Sequence, residues 1–428
     1  MSPTVVAVVG IAALLIIMLL RMPVAFAMML VGFLGAYHMV GLDAGLQLLS
    51  ADVYRQFASY GLSVIPLFVL MGQITFRAGI SERLYGAAYK WIGSRPGGVA
   101  ATTILASIGF SAVSGSNSAT TATVGAAAMP EMRKYNYSPA LSGGSIAIGG
   151  TLGVVIPPST ALIIIAIQTE QSVAQLFFAA IVPGLLVGLF LLLTVLAVCW
   201  RRPELGPPGP KVPWGQRFRS LGGVVETLVL FTGVIGGLYL GWFTPTEAGA
   251  AGAFGALLIA AARRNLTVRT LWTAVTETLR ISAMVVLLVT GAVVFGRFLT
   301  LTRLPFDIAN WASELPVSPI AILLVVLLIY LIGGALMDAL GFLVVSLPIF
   351  FPLAAALGFD PVWFTIIITL VTTMGAVTPP VGVNVFIVSA LDRTVDVVTT
   401  FRGVTVFLLG YVAAIGLLIV FPGLVVTG

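Results

Sequence analysis

Charge is what this sequence has least of. Only 8% of its 428 residues are Asp, Glu, Lys or Arg, against roughly 25% in soluble domains, and its mean hydropathy is +1.12. That excludes a soluble globular fold and makes the chain an integral membrane protein. Strict alternation of apolar and polar residues is also missing, which excludes a transmembrane barrel in favour of helices. Cys199 is the only cysteine, so no intramolecular disulfide forms. His38 is the only histidine and stands near the end of an apolar run, where an interface-facing ring and a proton relay are both open readings. The opening "MSPTVVAVVG" lacks a basic region and a small-residue cleavage site, so the first run is expected to be a retained helix. The formal charge of +6 does not point to nucleic acid, because the basic residues fall in short segments between apolar runs.

What is present is a set of apolar runs near the ~20 residues that span a bilayer, at about 4–20, 24–41, 61–76, 176–199, 223–241, 246–262, 281–302 and 403–424. Two phrases recur among them. "TLGVVIPPST" (151–160) and "TMGAVTPPVG" (373–382) share the skeleton TxGxxxPP, an offset of 222 residues. The same offset takes Pro23 to Pro245, Pro130 to Pro352 and Pro139 to Pro361, so five of the nine prolines before residue 200 land on another proline. Chance would give less than about one such match, and the chain therefore reads as a duplicated unit.

Between the copies, "RRPELGPPGPKVPWGQRFR" (201–219) carries five basic residues against Glu204 and reads as an exposed cytoplasmic linker. The expected architecture is an all-α polytopic membrane protein of two inverted repeats, each with five crossings and one re-entrant helical hairpin. The first repeat would occupy residues 1–200, with its hairpin at about 100–130 and a broken helix at 139–168. The linker takes 201–221. The second repeat would occupy 222–428, with its hairpin at about 318–352 and a broken helix at 361–390. With both termini outside, 18 of the 21 basic residues face the cytoplasm, leaving Arg55, Arg297 and Arg303 outside.

Two prolines in succession break a helix for several residues. Bare backbone is tolerated at membrane depth only when it is buried in protein or lines a cavity, and matched breaks in two halves mark the sites of secondary transporters. A second irregularity precedes each break. In the first copy it is a run of hydroxyls and an amide around Gly115, among them Ser111, Ser114, Ser116, Asn117 and Ser118. The second copy has Gly333, Gly334 and Asp338 there, and Ser116 maps onto Asp338 by the offset of 222. A carboxylate so deep in an apolar stretch is costly unless it meets a cation. Each hairpin tip facing its own break would form one oxygen cage for a hard cation such as Na⁺. Freed N–H groups near Ser159 and after Pro380 suit an anion between the cages. Arg297, about five residues from the outer end of its span, either snorkels to the interface or touches that anion. Glu247 reads as a structural charge in the first turn of a helix.

These residues resemble the large membrane subunit of tripartite ATP-independent periplasmic (TRAP) transporters. The resemblance rests on "RMPVAFAM", "IPLFVLMGQI", "SGSNSA", "GGTLGVVIPPS", "TPTEA", "MDALGFLVVSLPIFFP" and "GAVTPPVG", in that order over nearly the whole chain. It implies an elevator-type importer of the ion transporter superfamily in the bacterial inner membrane, coupling Na⁺ to uptake of an organic acid: a dicarboxylate, a keto acid or a sialic acid. It also implies two partners, a periplasmic substrate-binding protein and a small four-helix membrane subunit expected as a separate chain. By motif it places one sodium site at Ser114, Ser116, Asn117, Gly153 and Ile156, and a second at Gly334, Asp338, Gly375 and Thr378. Substrate contacts are expected at Ser118, Ser159, Thr160, Arg297 and Asn384. Asn117 departs from the small residue usual in the family. A stand-alone sodium/divalent-anion symporter of the same superfamily is the nearest rival. An ion channel is a further reading, while an intramembrane hydrolase built on Ser116 lacks a GxSxG motif. No enzymatic activity is expected.

Overall fold

In the computed structural model, which describes residues 2–425, helices account for most of the chain and no strand occurs among the described residues. Helix starts follow local chemistry. Pro139 and Pro361 each occupy the first helical turn of a segment in the middle of a copy, where a missing N–H costs nothing. Thr244 and Glu247 form a capping box at the start of Pro245–Ala262, which gives Glu247 its structural role.

Helix bounds recur at the same offset as the prolines. Val24–Val40 matches Pro245–Ala262, Gly98–Ser114 matches Pro319–Leu336, Asn117–Lys134 matches Ala339–Ala356, and Val173–Arg201 matches Val397–Val420. One pair of regions differs. Where the second half has a single 35-residue helix, Val268–Thr302, the first has Leu42–Phe57, a 3-10 turn at Tyr60–Ser63, and Val64–Arg77. At ~1.5 Å per residue the uninterrupted helix runs about 52 Å, well beyond the ~30 Å hydrocarbon core, so it must tilt or project.

Packing between halves is reciprocal. Val24–Val40 lies along Val268–Thr302, and Pro245–Ala262 lies along Val64–Arg77, so one kind of contact is made twice with the halves exchanged. These four helices form an outer frame. Beside it pack two hairpins, Gly98–Lys134 and Pro319–Ala356, and two interrupted segments, Pro139–Gln168 and Pro361–Leu391, whose first helices are covered by the hairpins and by Val173–Arg201 and Val397–Val420. In Pro139–Gln168, 89% of the most apolar window is buried, against 56% at most for any other candidate span. This segment therefore faces protein and not lipid. Residues 362–375 are likewise buried without exception.

At one end of the frame Glu226 accepts from Arg83 at 2.8 Å and pairs with Arg263 as well. That charge cluster joins the connecting helix Ile80–Ile92 to Gly222–Tyr239 and Pro245–Ala262. Cys199 is buried beside Gly97 and Gly206, and His38 is exposed near Phe298.

Candidate functional site

Each hairpin turns on a residue whose side chain or backbone forces the turn. Gly115 closes Gly98–Ser114 at φ +63°, a conformation that favours glycine, and Ser116 then caps Asn117–Lys134 by accepting from the Ala119 N–H at 3.4 Å. Across the turn, the Ser114 and Thr120 hydroxyls lie 2.8 Å apart. In the second hairpin Met337 is extended and Asp338 caps Ala339–Ala356, its carboxylate accepting from Leu340 N–H at 3.1 Å. Both tips thus point the N-terminus of a helix into the same region, with a hydroxyl at one and a carboxylate at the other.

Both interrupted segments lose their helix where TxGxxxPP occurs. The first ends a short turn at Val155, continues extended at Ile156 (φ −79°, ψ 125°), passes the Pro157–Pro158 pair, and restarts at Thr160 with Ser159 as cap. The second ends at Gly375 and restarts at Val383 after Pro379–Pro380. Each restart is tied to a hairpin tip. The Gly115 carbonyl accepts from the Thr160 hydroxyl at 2.8 Å, and the Ala335 carbonyl accepts from Val381 and Gly382 N–H at 3.2 and 3.3 Å.

The approach of tip to break is close enough to demand glycine. A Cβ on Gly153 would stand 2.7 Å from the Ser116 carbonyl carbon and 2.5 Å from the Thr120 hydroxyl. On Gly375 it would stand 2.5 Å from the Leu331 carbonyl oxygen and 2.7 Å from the Gly334 carbonyl carbon. Gly334 in turn lies against the Thr372 carbonyl.

The two tips share one cavity of about 440 Å³. Ser114, Ser116, Asn117, Ser118, Thr160 and Asp338 line it on the inner side; Gly72, Gln73, Phe76, Ile281, Met284 and Val285 of the frame line the other. Asp338 is the only charged residue in that lining. Its carboxylate is exposed to the cavity and makes no ion pair among the described residues. Asn117 is only 6% exposed, and its Oδ1 is enclosed without a hydrogen-bond donor. A buried polar atom left without a partner costs about 1–3 kcal/mol, which a ligand donor or a cation would recover.

The residues singled out from sequence divide accordingly. Ser114, Ser116, Asn117, Ser118, Thr160 and Asp338 meet at the cavity. Gly153 lies behind the first tip, and Ile156 begins the unwound stretch next to it. Gly334 and Gly375 lie against each other behind the second tip, where Thr378 donates its hydroxyl to the Met374 carbonyl at 2.8 Å. Three others are not brought to the cavity wall. Ser159 is buried, accepting from Leu162 N–H at 3.3 Å; Asn384 is buried and donates to the Ala147 carbonyl at 3.2 Å. Arg297 forks onto Asp52 with bonds of 2.9 and 3.2 Å. That pairing takes two of its five N–H donors and holds it away from the cavity lining, so the structure does not bring it to the substrate contact expected of it.

Gln73, by contrast, lines the cavity and was not singled out; its signal was a lone amide within an apolar run. Replacing Arg297 by Met should lower stability by about 2 kcal/mol. It strands Asp52, whose side chain is 4% exposed, although solvent reaching Arg297 keeps the cost below the 3–5 kcal/mol of a fully buried pair. Thermal unfolding in detergent checks the loss, and substrate affinity should stay unchanged in the surviving folded protein.

Residues 11–424 match the family described as the tripartite ATP-independent periplasmic transporter, DctM component. A C4-dicarboxylate TRAP transporter large permease protein of Pseudomonas aeruginosa is 36% identical over 80% of each chain. A sialic acid TRAP transporter large permease protein of Vibrio cholerae is 31% identical over 94% of this chain and 93% of its own. Among solved structures, the YdaH transporter of Alcanivorax borkumensis covers 90% of both chains with a TM-score of 0.65 at 15% identity, a likeness of fold.

Proposed function

Because the chain belongs to the DctM component family of tripartite ATP-independent periplasmic transporters, we propose that it moves an organic acid across the bacterial inner membrane together with Na⁺. Within that family the two relatives described above are named for a C4-dicarboxylate and for sialic acid; the acid carried here belongs to the same broad class of carboxylates. The rival reading as a stand-alone symporter lacks the support that the family match gives to a tripartite permease.

One observation carries the sodium coupling. A cavity walled by two hairpin tips holds Asp338 as its only charge and no basic side chain at all. A carboxylate substrate entering it would meet one negative charge, two helix N-termini and several hydroxyls. The helix ends attract an anion, each by about 0.3–1 kcal/mol, but do not outweigh a facing carboxylate in a low-dielectric site. A cation beside Asp338 removes that repulsion and also gives the enclosed Asn117 Oδ1 a partner. Na⁺ suits donors that are all oxygen: the Ser114 and Ser116 hydroxyls with Asn117 and the main chain of Gly153 and Ile156 at the first tip, and Asp338 with Gly334, Gly375 and Thr378 at the second. Substrate and ion then enter together because neither is stable there alone.

The reciprocal outer frame supports an elevator movement, in which the hairpins and interrupted segments travel as one body past Gly72, Gln73, Phe76, Ile281, Met284 and Val285. Inverted repeats with both termini periplasmic give the asymmetry of basic residues already noted, and a periplasmic binding protein and a small membrane subunit complete the assembly. The test is reconstitution of the chain in proteoliposomes with a binding protein and a small subunit from the same organism. Labelled acids should accumulate only when Na⁺ is higher outside and the binding protein is present. Accumulation that survives collapse of the sodium gradient would refute the coupling.

A further inference from the structure

A second cavity, an open groove of about 410 Å³, lies where Val64–Arg77, the connector Ile80–Ile92 and the first turns of Val268–Thr302 meet. Phe76, Arg77, Glu82, Arg269, Thr270 and Thr273 line it. Phe76 is also a wall of the main cavity, so one aromatic ring separates the two spaces. At 100° per residue, Thr270, Thr273, Ile281 and Met284 fall within one face of the long helix, and that face joins the groove to the main cavity over about 21 Å at ~1.5 Å per residue.

The charges in the groove are unsettled in a specific way. Neighbouring Arg83 and Arg263 are held by Glu226. Arg77 and Arg269 make no ion pair among the described residues, and the Arg77 Nε–H is enclosed without an acceptor. An exposed arginine such as Arg269 is satisfied by water. An enclosed guanidinium N–H is not, and it bears the desolvation cost until an acceptor arrives. Glu82 stands on the rim as the single carboxylate, leaving two guanidinium groups against it and a net positive groove. A planar fork of N–H donors fits the two oxygens of a carboxylate or phosphate better than it fits any neutral group.

We propose that this groove is an anion site distinct from the main cavity, taking a carboxylate or phosphate group between Arg77 and Arg269. A departing organic acid and a phospholipid headgroup both present that chemistry. The inference stands on the groove itself and is tested by binding, so its failure leaves the transport reading intact and the reverse also holds.

The experiment is thermal unfolding of the full chain in uncharged detergent, titrated separately with succinate, glycerol phosphate and dioleoylphosphatidylglycerol. Wild type is compared with Arg77→Gln/Arg269→Gln and with the single Arg269→Gln, whose exposed side chain can be changed with the fold kept. At least one probe should stabilise the wild type, with apparent Kd raised tenfold or more in the double variant and by a smaller factor in the single one. Stabilisation by the water-soluble probes assigns the groove to free anions, and stabilisation by the lipid alone assigns it to a headgroup. Succinate binding of equal strength in all three proteins would come from the main cavity. If no probe distinguishes the wild type from Arg269→Gln, the proposal is overturned.

Discussion

Asp338→Asn is expected to raise the sodium concentration needed for half-maximal uptake by tenfold to a hundredfold, while the protein inserts and unfolds as before. The fold should tolerate the change because the structural task of Asp338 is to cap Ala339–Ala356 through the Leu340 N–H, and asparagine caps a helix about as well as aspartate. What is lost is the one negative charge in the cavity lining. Two unit charges ~4 Å apart interact by about 4 kcal/mol at an effective dielectric of 20. Water in an open cavity lowers that to about 1.4–2.7 kcal/mol, a factor of ten to a hundred in ion affinity. Ser116, at the same capping position in the first hairpin, carries no charge. Ser116→Ala should therefore cost about 1 kcal/mol of helix capping and shift sodium dependence much less. Uptake as a function of sodium, in the same vesicles, separates the two. An unchanged activation curve in Asp338→Asn would remove the carboxylate from any ion site.

The parts of the site that sequence revealed are those with a local physical signature. A proline at a helix start, a proline pair after glycine and a carboxylate in an apolar stretch each announce themselves at a single position, and the offset of 222 turned them into a repeated pattern. The hairpin tips at Gly115 and Asp338 and the breaks at residues 156–159 and 376–382 fall where those signals lie. Hydropathy could not reveal Leu42–Phe57, Ile80–Ile92 or Leu304–Glu314, because these helices are short and interrupted by charged residues. It also began the long helix at about residue 281. Arg269, Glu277 and Arg280 break up its first turns, yet the helix starts at Val268. Contacts between distant segments were the other blind spot. Nothing near Arg297 in sequence names Asp52, and nothing near Asn384 names Ala147, because those partners are set by how the halves pack.

Gly375→Ala should be among the most damaging single-methyl changes in the chain, lowering stability by about 3 kcal/mol or abolishing folded protein, with uptake lost in either case. The added Cβ would lie 2.5 Å from the Leu331 carbonyl oxygen, 2.7 Å from the Gly334 carbonyl carbon and 2.8 Å from the Ala335 nitrogen. All three are main-chain atoms of the second hairpin, so no side chain can rotate away, and relief requires the hairpin to move off the break. Overpacking of a core usually costs about 1–3 kcal/mol, and a wall of backbone puts this site at the upper end or beyond. Displacement also separates the Ala335 carbonyl from Val381 and Gly382, undoing the tie that closes the second tip. Gly153→Ala should act in the same way on the first tip through the Ser116 carbonyl. Gly233→Ala supplies the contrast: it adds the same methyl inside Gly222–Tyr239 with nothing within 4 Å, and should gain up to about 1 kcal/mol from helix propensity. Melting curves of the three variants in one detergent decide the matter. If Gly375→Ala melts with Gly233→Ala rather than far below it, the tip and the break are not in contact, and a cation cage between them has no walls.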